Sequence, residues 1–220
     1  MNLDGFALPV KKLKGTDPVE TLDLSAKSLG VASAVVIASL IDVNGVLTEC
    51  NVRGNNLDSE SAKKLAMIGT EKGIMLFGIK RDQKEANFRK QILGLAAPAD
   101  AILFSSDLVI GSLTSIDLSS NHLCGLNWKG DGQYSTVGIT AIADALRVNG
   151  WLTSINLSGN DFTNYGTDIT GIKQLAAALG VNSSLTECDL SNNNMSKEGE
   201  ALIRKAVEGK AGFKLGLGCI

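Results

Sequence analysis

Residues that could act as acid, base or nucleophile are scarce in this chain, and their spacing does not group them. The single histidine, His122, follows Asn121 in a polar stretch and is predicted to be a solvated surface residue. Paired carboxylates serve acid and base chemistry where a cleft desolvates one of them. Asp117 and Asp189 occupy matching positions in a repeated phrase, but an open sheet would leave both solvated. The sequence therefore predicts a protein that is not an enzyme.

The four cysteines give no sign of a metal or redox centre. No Cys-x-x-Cys spacing occurs and no cysteine clusters with the histidine, which argues against a zinc site and against a disulfide framework. Cys50 and Cys188 stand in slots otherwise filled by leucine or isoleucine, so we predict that both are small core residues. The glycine-rich phosphate loop ending in Gly-Lys-Ser or Gly-Lys-Thr is also missing. We expect no cofactor, no metal and a reducing intracellular compartment, the cytoplasm.

The element that positions the side chains is a phrase that the chain repeats. Residues 113–123 read LTSIDLSSNHL, residues 152–162 read LTSINLSGNDF, and residues 185–195 read LTECDLSNNNM. Two earlier copies fall at 19–29 and 47–57. A phrase that recurs at such a period marks a stack of coils, each of which contributes one strand.

Two further copies are weaker and irregular. They fall at 74–82 and 86–93, so that only a short stretch of chain separates their strand portions. No helix fits between Ile79 and Ala86, and we predict a short coil there. With a closing strand at 213–215, the sequence predicts seven strands and an eighth that ends the sheet.

Each slot of the phrase has a structural role. Because a strand alternates its side chains between faces, Ile116 and Leu118 should point into the core while Asp117 points outward. The asparagine slot follows the strand where the chain turns away, and an amide there can bond backbone groups of its own coil and of the next. We therefore predict a stacked ladder of polar side chains, formed by Asn55, Asp82, Gln91, Asn121, Asn160 and Asn193.

Between the strands, the apolar spacing changes to that of a helix. Such stretches fall at 35–41, 65–68, 101–110, 139–148, 172–179 and 202–207. A strand and the helix after it form one repeat unit. This unit, including helix sequences such as GITAIADALRVNG at 138–150, resembles the leucine-rich repeats of the ribonuclease-inhibitor-like class. Within that class, residues 6–20 and 76–83 are similar to multi-copy repeat proteins of unicellular eukaryotes.

This resemblance implies an α/β fold, a leucine-rich-repeat solenoid that forms a horseshoe segment with a parallel sheet on its concave face and helices on its convex face. It also implies three parts within one domain. Residues 1–17 would form an N-terminal cap segment, residues 18–208 about seven repeats with two irregular ones at 74–93, and residues 209–220 a C-terminal cap strand and tail. Because one fold serves many partners, the resemblance says little about function.

We therefore predict that the protein functions through an exposed surface rather than through a pocket. Seven strands at ~4.8 Å spacing give the concave face a strip on the order of 35 Å long, which is enough for a standard protein interface. The candidate partner-binding residues on this face are Arg53, Lys80, Arg89, Asp117, Asn156 and Asp189. The strip lacks the tryptophan and tyrosine anchors that dominate many interfaces. A solvated face without a tight partner is therefore an alternative.

Two insertions depart from the repeat and are stronger candidates for binding. Compared with the regular step from Leu22 to Cys50, the step from Ile116 to Ile155 is longer by the loop at 124–135, and the step from Ile155 to Cys188 by a shorter loop at 161–171. Insertions in such stacks are expelled as loops on one edge, often the binding edge. These loops carry the candidate partner-binding residues Trp128, Tyr134 and Tyr165. In the alternative interpretation, Trp128 and Tyr134 fold back as a lid over the asparagine ladder.

Charge is distributed unevenly along the chain. Residues 63–90 carry eight basic and three acidic groups, whereas residues 111–203 carry four basic and nine acidic groups. An overall charge of −2, with few aromatic residues among the basic groups, argues against nucleic-acid binding. An acidic protein partner or an anionic surface could still dock at the basic segment 63–90, and a solvated run of charges is the alternative.

No segment is predicted to enter a membrane. The longest apolar stretch, 31–41, spans about half of the ~20 residues that a membrane helix requires, and no secretory signal is predicted. We predict a non-catalytic protein-protein interaction module that binds a protein partner through its concave face and inserted edge loops. The alternative is a structural or accessory subunit that is held permanently in a larger multiprotein assembly.

Overall fold

The structure is a computed structural model that describes residues 1–91, 97–126, 129 and 131–218. The helices in this part of the chain are α1 (Val10–Lys14), α2 (Val31–Asp42), α3 (Ser59–Lys72), α4 (Ala97–Ile110), α5 (Val137–Val148), α6 (Thr170–Val181) and α7 (Lys197–Val207). The strands are β1 (Asn2–Leu3), β2 (Phe6–Ala7), β3 (Thr21–Asp23), β4 (Glu49–Asn51), β5 (Glu85–Asn87), β6 (Ser115–Asp117), β7 (Ser154–Asn156), β8 (Glu187–Asp189) and β9 (Lys214–Gly216).

The strands from β5 to β9 form one parallel sheet in chain order. β3 and β4 form a separate parallel pair, and β1 and β2 form an antiparallel hairpin. Matching positions of the repeated phrase face one another, since Ile116 pairs with Ile155, Ile155 with Cys188, and Cys188 with Leu215. The predicted parallel α/β arrangement is therefore confirmed, and the closing strand lies one residue later than predicted.

The helices pack against the strands in one hydrophobic core. In α5, the residues Ile139, Ile142, Ala143 and Leu146 recur at helical spacing and are fully buried. α3 begins after Asp58, whose side chain accepts a hydrogen bond from the Ser61 backbone N–H. Across the described residues, none of the helices has both the length and the apolar character needed to span a bilayer.

The asparagine ladder is present where the sheet is regular. Asn160 donates from Nδ2 to the carbonyl oxygens of Leu118 and Leu157 at 3.0 and 2.9 Å, which joins two coils. Asn193 makes the equivalent bonds one coil later, and Asn55, Asn121, Asn160 and Asn193 are all buried. The prediction is wrong for Asp82, which is exposed on a turn. Gln91 is also exposed, and it donates to a backbone carbonyl of its own coil.

The predicted third strand is where the sheet breaks. Residues 74–79 pair with the β4 segment through a single bridge, between Glu49 and Met75. The Met75 N–H donates to the Thr48 carbonyl oxygen, and the N–H groups of Cys50 and Val52 donate to the carbonyl oxygens of Met75 and Leu76. Leu76 stands in a slot of the phrase that strand alternation assigns to the outward face. This prediction is wrong, because Leu76 is fully buried, as are Met75 and its other apolar neighbours. The described stretch between Ile79 and Ala86 contains no helix, as predicted.

A carboxylate from a later helix takes the place of the missing strand. Asp107 of α4 is completely buried and accepts the backbone N–H groups of Leu76 and Phe77 at 2.6 and 2.8 Å. These two donors would otherwise be unsatisfied inside the protein, which is costly. The chain can therefore leave the plane of the sheet at this point, and the sheet is divided between β4 and β5.

Candidate protein-interaction surface

The face of the sheet opposite the helices is open, and we call it the open sheet face. Its side chains come from the outward positions of successive strands and are exposed or half-exposed. A shallow depression of about 370 Å³ crosses β5, β6 and β7, and it is lined by Glu85, Asn87, Asp117, Ser154 and Asn156 among others. The surface is polar and offers carboxylate, amide and hydroxyl groups to a partner.

Three of the predicted partner-binding residues also hold the strand ends together. Asp117, Asn156 and Asp189 each accept, through Oδ1, the backbone N–H of the residue two positions later, at 2.8, 3.0 and 2.9 Å. An aspartate or asparagine side chain commonly closes a turn in this way. The same contact occurs at Asp23, Asn51 and Asn87. The sequence contained the signal, because an Asx residue fills this slot in six of the seven phrases, the exception being Gly78 in the irregular phrase at 74–82.

The predicted basic residues fall into two environments. Lys80 and Arg89 are exposed. Arg53 is half-buried, and its guanidinium lies 5.5 Å from the centre of the Phe77 ring and 5.0 Å from that of Phe88. A cation over aromatic faces is stabilised there. Arg53 therefore packs at the break in the sheet, whereas Lys80 and Arg89 are accessible to a partner.

Asp100 of α4 lies close to Arg53 and was not singled out from the sequence. Its carboxylate accepts the Gly54 backbone N–H at 3.0 Å and is almost completely buried. Burial raises the pKa of Asp100 to about 6, against the opposing influence of that hydrogen bond and of Arg53. Burial likewise raises the pKa of Asp107 to about 7. Both carboxylates therefore stabilise the backbone beside the break in the sheet.

At the edge where strands lead into helices, Tyr134 folds back onto the protein. Its hydroxyl donates to the carbonyl oxygen of Phe162 at 2.8 Å, and the ring is half-buried against the core. Burial raises the pKa of this phenol. Tyr134 thus follows the lid interpretation, while Trp128 lies outside the described residues. Tyr165 differs from Tyr134, since 53% of its surface is exposed.

Tyr165 lines a cavity of about 630 Å³ at the same edge. Turns that follow four successive strands contribute to it, including Lys90, His122, Asp161 and Asn194. Asp161 Oδ1 accepts a hydrogen bond from Asn194 Nδ2 at 2.7 Å. Burial raises the pKa of Asp161 and lowers the pKa of His122, and the Asp161 charge opposes the latter shift. The imidazole is therefore held mainly neutral at pH 7.

The cysteines behave as core residues. Cys50, Cys124 and Cys188 are buried free thiols, and burial raises the pKa of each to about 12. The core assignment of Cys50 and Cys188 is confirmed. Cys219 lies outside the described residues. Within the described ranges, no group of three or more His, Cys, Asp or Glu side chains is arranged to hold a metal ion.

Comparison with known proteins relates the chain by fold. No family model matches the sequence, and no curated protein matches it. Among solved structures, leiomodin-1 actin-binding site 2 is similar, with a TM-score of 0.50 and 21% sequence identity, over 64% of this chain and 73% of that chain. At this identity the likeness concerns the fold alone. The parallel sheet, its stacked phrases and this neighbour together define a leucine-rich-repeat-like α/β protein.

Proposed function

We propose that the protein is a non-catalytic protein-interaction module of the ribonuclease-inhibitor-like repeat class, which binds a protein partner through the open sheet face and the loops at the strand-to-helix edge. The observation that carries this proposal is the row of exposed and half-exposed polar side chains that line the depression on β5, β6 and β7. A shallow surface of this kind suits contact with the surface of a protein partner better than binding of a small substrate, which must be enclosed in a pocket.

The strand-to-helix edge extends this surface. Tyr165 is exposed beside the cavity that also contains Asp161 and His122, and tyrosine is enriched among residues that dominate binding energy. Trp128, in the neighbouring insertion, is retained as a partner-binding candidate on its residue type and position. The similar solved structure is an actin-binding site, so actin is a first partner to test by cosedimentation.

The test is quantitative capture with matched variants. The full chain is used as bait in native extract, and the proteins that accompany it are identified by mass spectrometry. Tyr165→Ala or Arg89→Ala should reduce capture of the true partner at least fivefold, about 1 kcal/mol. The control Lys64→Ala removes an exposed cation from α3, on the helical face, and should leave capture unchanged.

Two outcomes separate the proposal from its alternatives. Capture that is unaffected by both variants would remove the open sheet face and its edge from consideration. A partner that accompanies the chain at fixed stoichiometry through gentle purification, without exchange, would favour a permanent structural subunit. A regulatory module should instead be recovered partly free.

A further inference from the structure

The opposite edge, where helices lead into strands, exposes a strip of large apolar side chains. Val148, Trp151 and Val181 are 71%, 61% and 64% exposed, and Val109 is also accessible. Large apolar side chains that are exposed on neighbouring elements are candidates for an interaction site. We call these four residues the helix-to-strand apolar strip. It is separate from the open sheet face and from the insertions that the repeat spacing singled out.

A second asparagine ladder brings the strip together. Val109, Val148 and Val181 lie at the ends of the successive helices α4, α5 and α6. Asn149 Nδ2 donates to the Leu108 carbonyl oxygen at 2.7 Å, and Asn182 Nδ2 donates to the Leu146 carbonyl oxygen at 2.6 Å. Each of these asparagines follows one of the exposed valines. The ladder therefore holds the three helix ends side by side.

Trp151 stands in the same ladder on a fixed backbone. Its backbone N–H and that of Leu152 donate to Asn149 Oδ1 at 3.0 and 2.8 Å. An exposed aromatic side chain on an ordered turn loses little conformational freedom when it binds. Trp151 therefore has the properties of an interface anchor, and it is the exposed tryptophan of the described chain.

A cation lies over the tryptophan ring, and a second basic residue is linked to it through Ser112. The Lys84 ammonium lies 5.9 Å from the centre of the Trp151 ring and 3.4 Å from the Ser112 carbonyl oxygen. Ser112 also donates to the carbonyl oxygen of Arg81, whose guanidinium bonds the Gly73 carbonyl. Among the ion pairs of the described residues, neither Lys84 nor Arg81 meets a carboxylate. Within the described residues, the Lys84 charge beside Trp151 therefore has no carboxylate within ion-pair distance.

We propose that the helix-to-strand apolar strip is a docking surface for an acidic segment of a protein partner that also carries an apolar anchor. The apolar side chain would cover Trp151 and Val148, where burial of apolar area supplies the affinity. Carboxylates of the same segment would pair with Lys84 and Arg81, which adds orientation and a faster, salt-dependent association. The proposal does not depend on binding at the open sheet face.

The test uses a displayed library of random dodecapeptides, panned against the full chain. Enriched peptides should combine net negative charge with leucine or aromatic residues, and their affinity should fall as salt rises. Trp151→Ala should weaken binding about tenfold or more, and Lys84→Gln severalfold. The control Val46→Ala changes the equivalent position of an earlier coil and should have no effect. Val148→Asp, which repels an acidic peptide from a surface site without altering the core, should weaken binding as well.

Each other outcome overturns the proposal. No enrichment, enrichment of neutral or basic peptides, or binding that is indifferent to both Trp151→Ala and Lys84→Gln would do so. Sedimentation velocity that shows a dimer lost on Trp151→Ala would assign the strip to a second copy of this chain. Binding of vesicles of phosphatidylcholine and phosphatidylserine, lost with the same variant in the absence of peptide binding, would assign it to a lipid surface.

Discussion

Replacing Asp107 by alanine should destabilise the protein by an amount that depends on pH. The substitution removes the acceptor for the buried N–H groups of Leu76 and Phe77. Each buried donor left without a partner costs about 1–3 kcal/mol, so the loss in free energy of unfolding should be about 2–6 kcal/mol where the carboxyl group is protonated. The loss caused by the substitution should be smaller at a pH where the carboxylate is charged, because burial of that charge already lowers the free energy of unfolding of the wild type.

The direction of the pH effect follows from the raised pKa. Burial raises the pKa of Asp107 from 3.8 to about 7, so the folded protein holds this proton more tightly than the unfolded chain. The stability that this group contributes is full below the unfolded pKa and is lost as the pH rises through about 7. Between pH 5 and pH 8 the wild type should lose about 2–3 kcal/mol through this group alone. The gap between wild type and variant should narrow by the same amount.

Urea unfolding at pH 5 and pH 8 measures both the destabilisation caused by Asp107→Ala and its change with pH. Groups other than Asp107 cancel when the variant is subtracted from the wild type at each pH. Asp107→Asn should abolish the same pH dependence while it retains one acceptor, and it should therefore destabilise less than alanine at pH 5. The control Asp144→Ala removes an exposed carboxylate from α5 and should change stability by less than about 0.5 kcal/mol at either pH. A destabilisation by Asp107→Ala that is equal at both pH values would refute the reasoning.

Three further predictions concern the ladder, the thiols and the insertion. Asn160→Ala removes the hydrogen bonds from Nδ2 to the Leu118 and Leu157 carbonyl oxygens, which keep their bonds from Asn121 and Asn193. The loss of this link between two coils should lower the free energy of unfolding by about 1–3 kcal/mol, whereas the half-exposed Ser158→Ala should change it by less than about 0.5 kcal/mol. Equal effects in urea titrations would contradict the ladder's role. Cys50 and Cys188, with thiol pKa values near 12, should resist iodoacetamide at neutral pH until denaturant is added, and rapid labelling of the native protein would show that they are accessible. Trp128→Ala should reduce capture of the partner at least fivefold, and undiminished capture would move binding away from the insertion.

Sequence reasoning succeeded where one residue type fills one slot repeatedly. The alignment of Ile116, Ile155 and Cys188 in adjacent strands followed from the phrase, because alternation along a strand assigns each side chain to a face. It failed at Leu76, since the run Ile74 to Phe77 is apolar on both faces and alternation assigns nothing there. The deciding group, Asp107, belongs to a later helix, far from Leu76 along the chain.

Among the surface residues, too, some roles could be predicted from the repeated sequence and others could not. The turn-closing contacts of Asp117 could be predicted from the repetition of Asx in its slot, although the same residues also suit a partner. Trp151 was not singled out because it lies in a regular coil rather than in an insertion. Its exposure is set by how the ends of α4 and α5 stack, which no local pattern reports.

The division of the sheet between β4 and β5 has a consequence for cooperativity. In a stack of repeats, each unit is stabilised by its immediate neighbours, so a break in one junction limits how far unfolding spreads. The strand ladder is interrupted there, and helix packing together with the carboxylates of Asp100 and Asp107 carries the coupling across. We expect native-state hydrogen exchange to resolve two units, residues 1–79 and the part of the chain from β5 onward, each opening as a block. The junction that lets the chain change course would then also allow one half to open while the other keeps its binding surface.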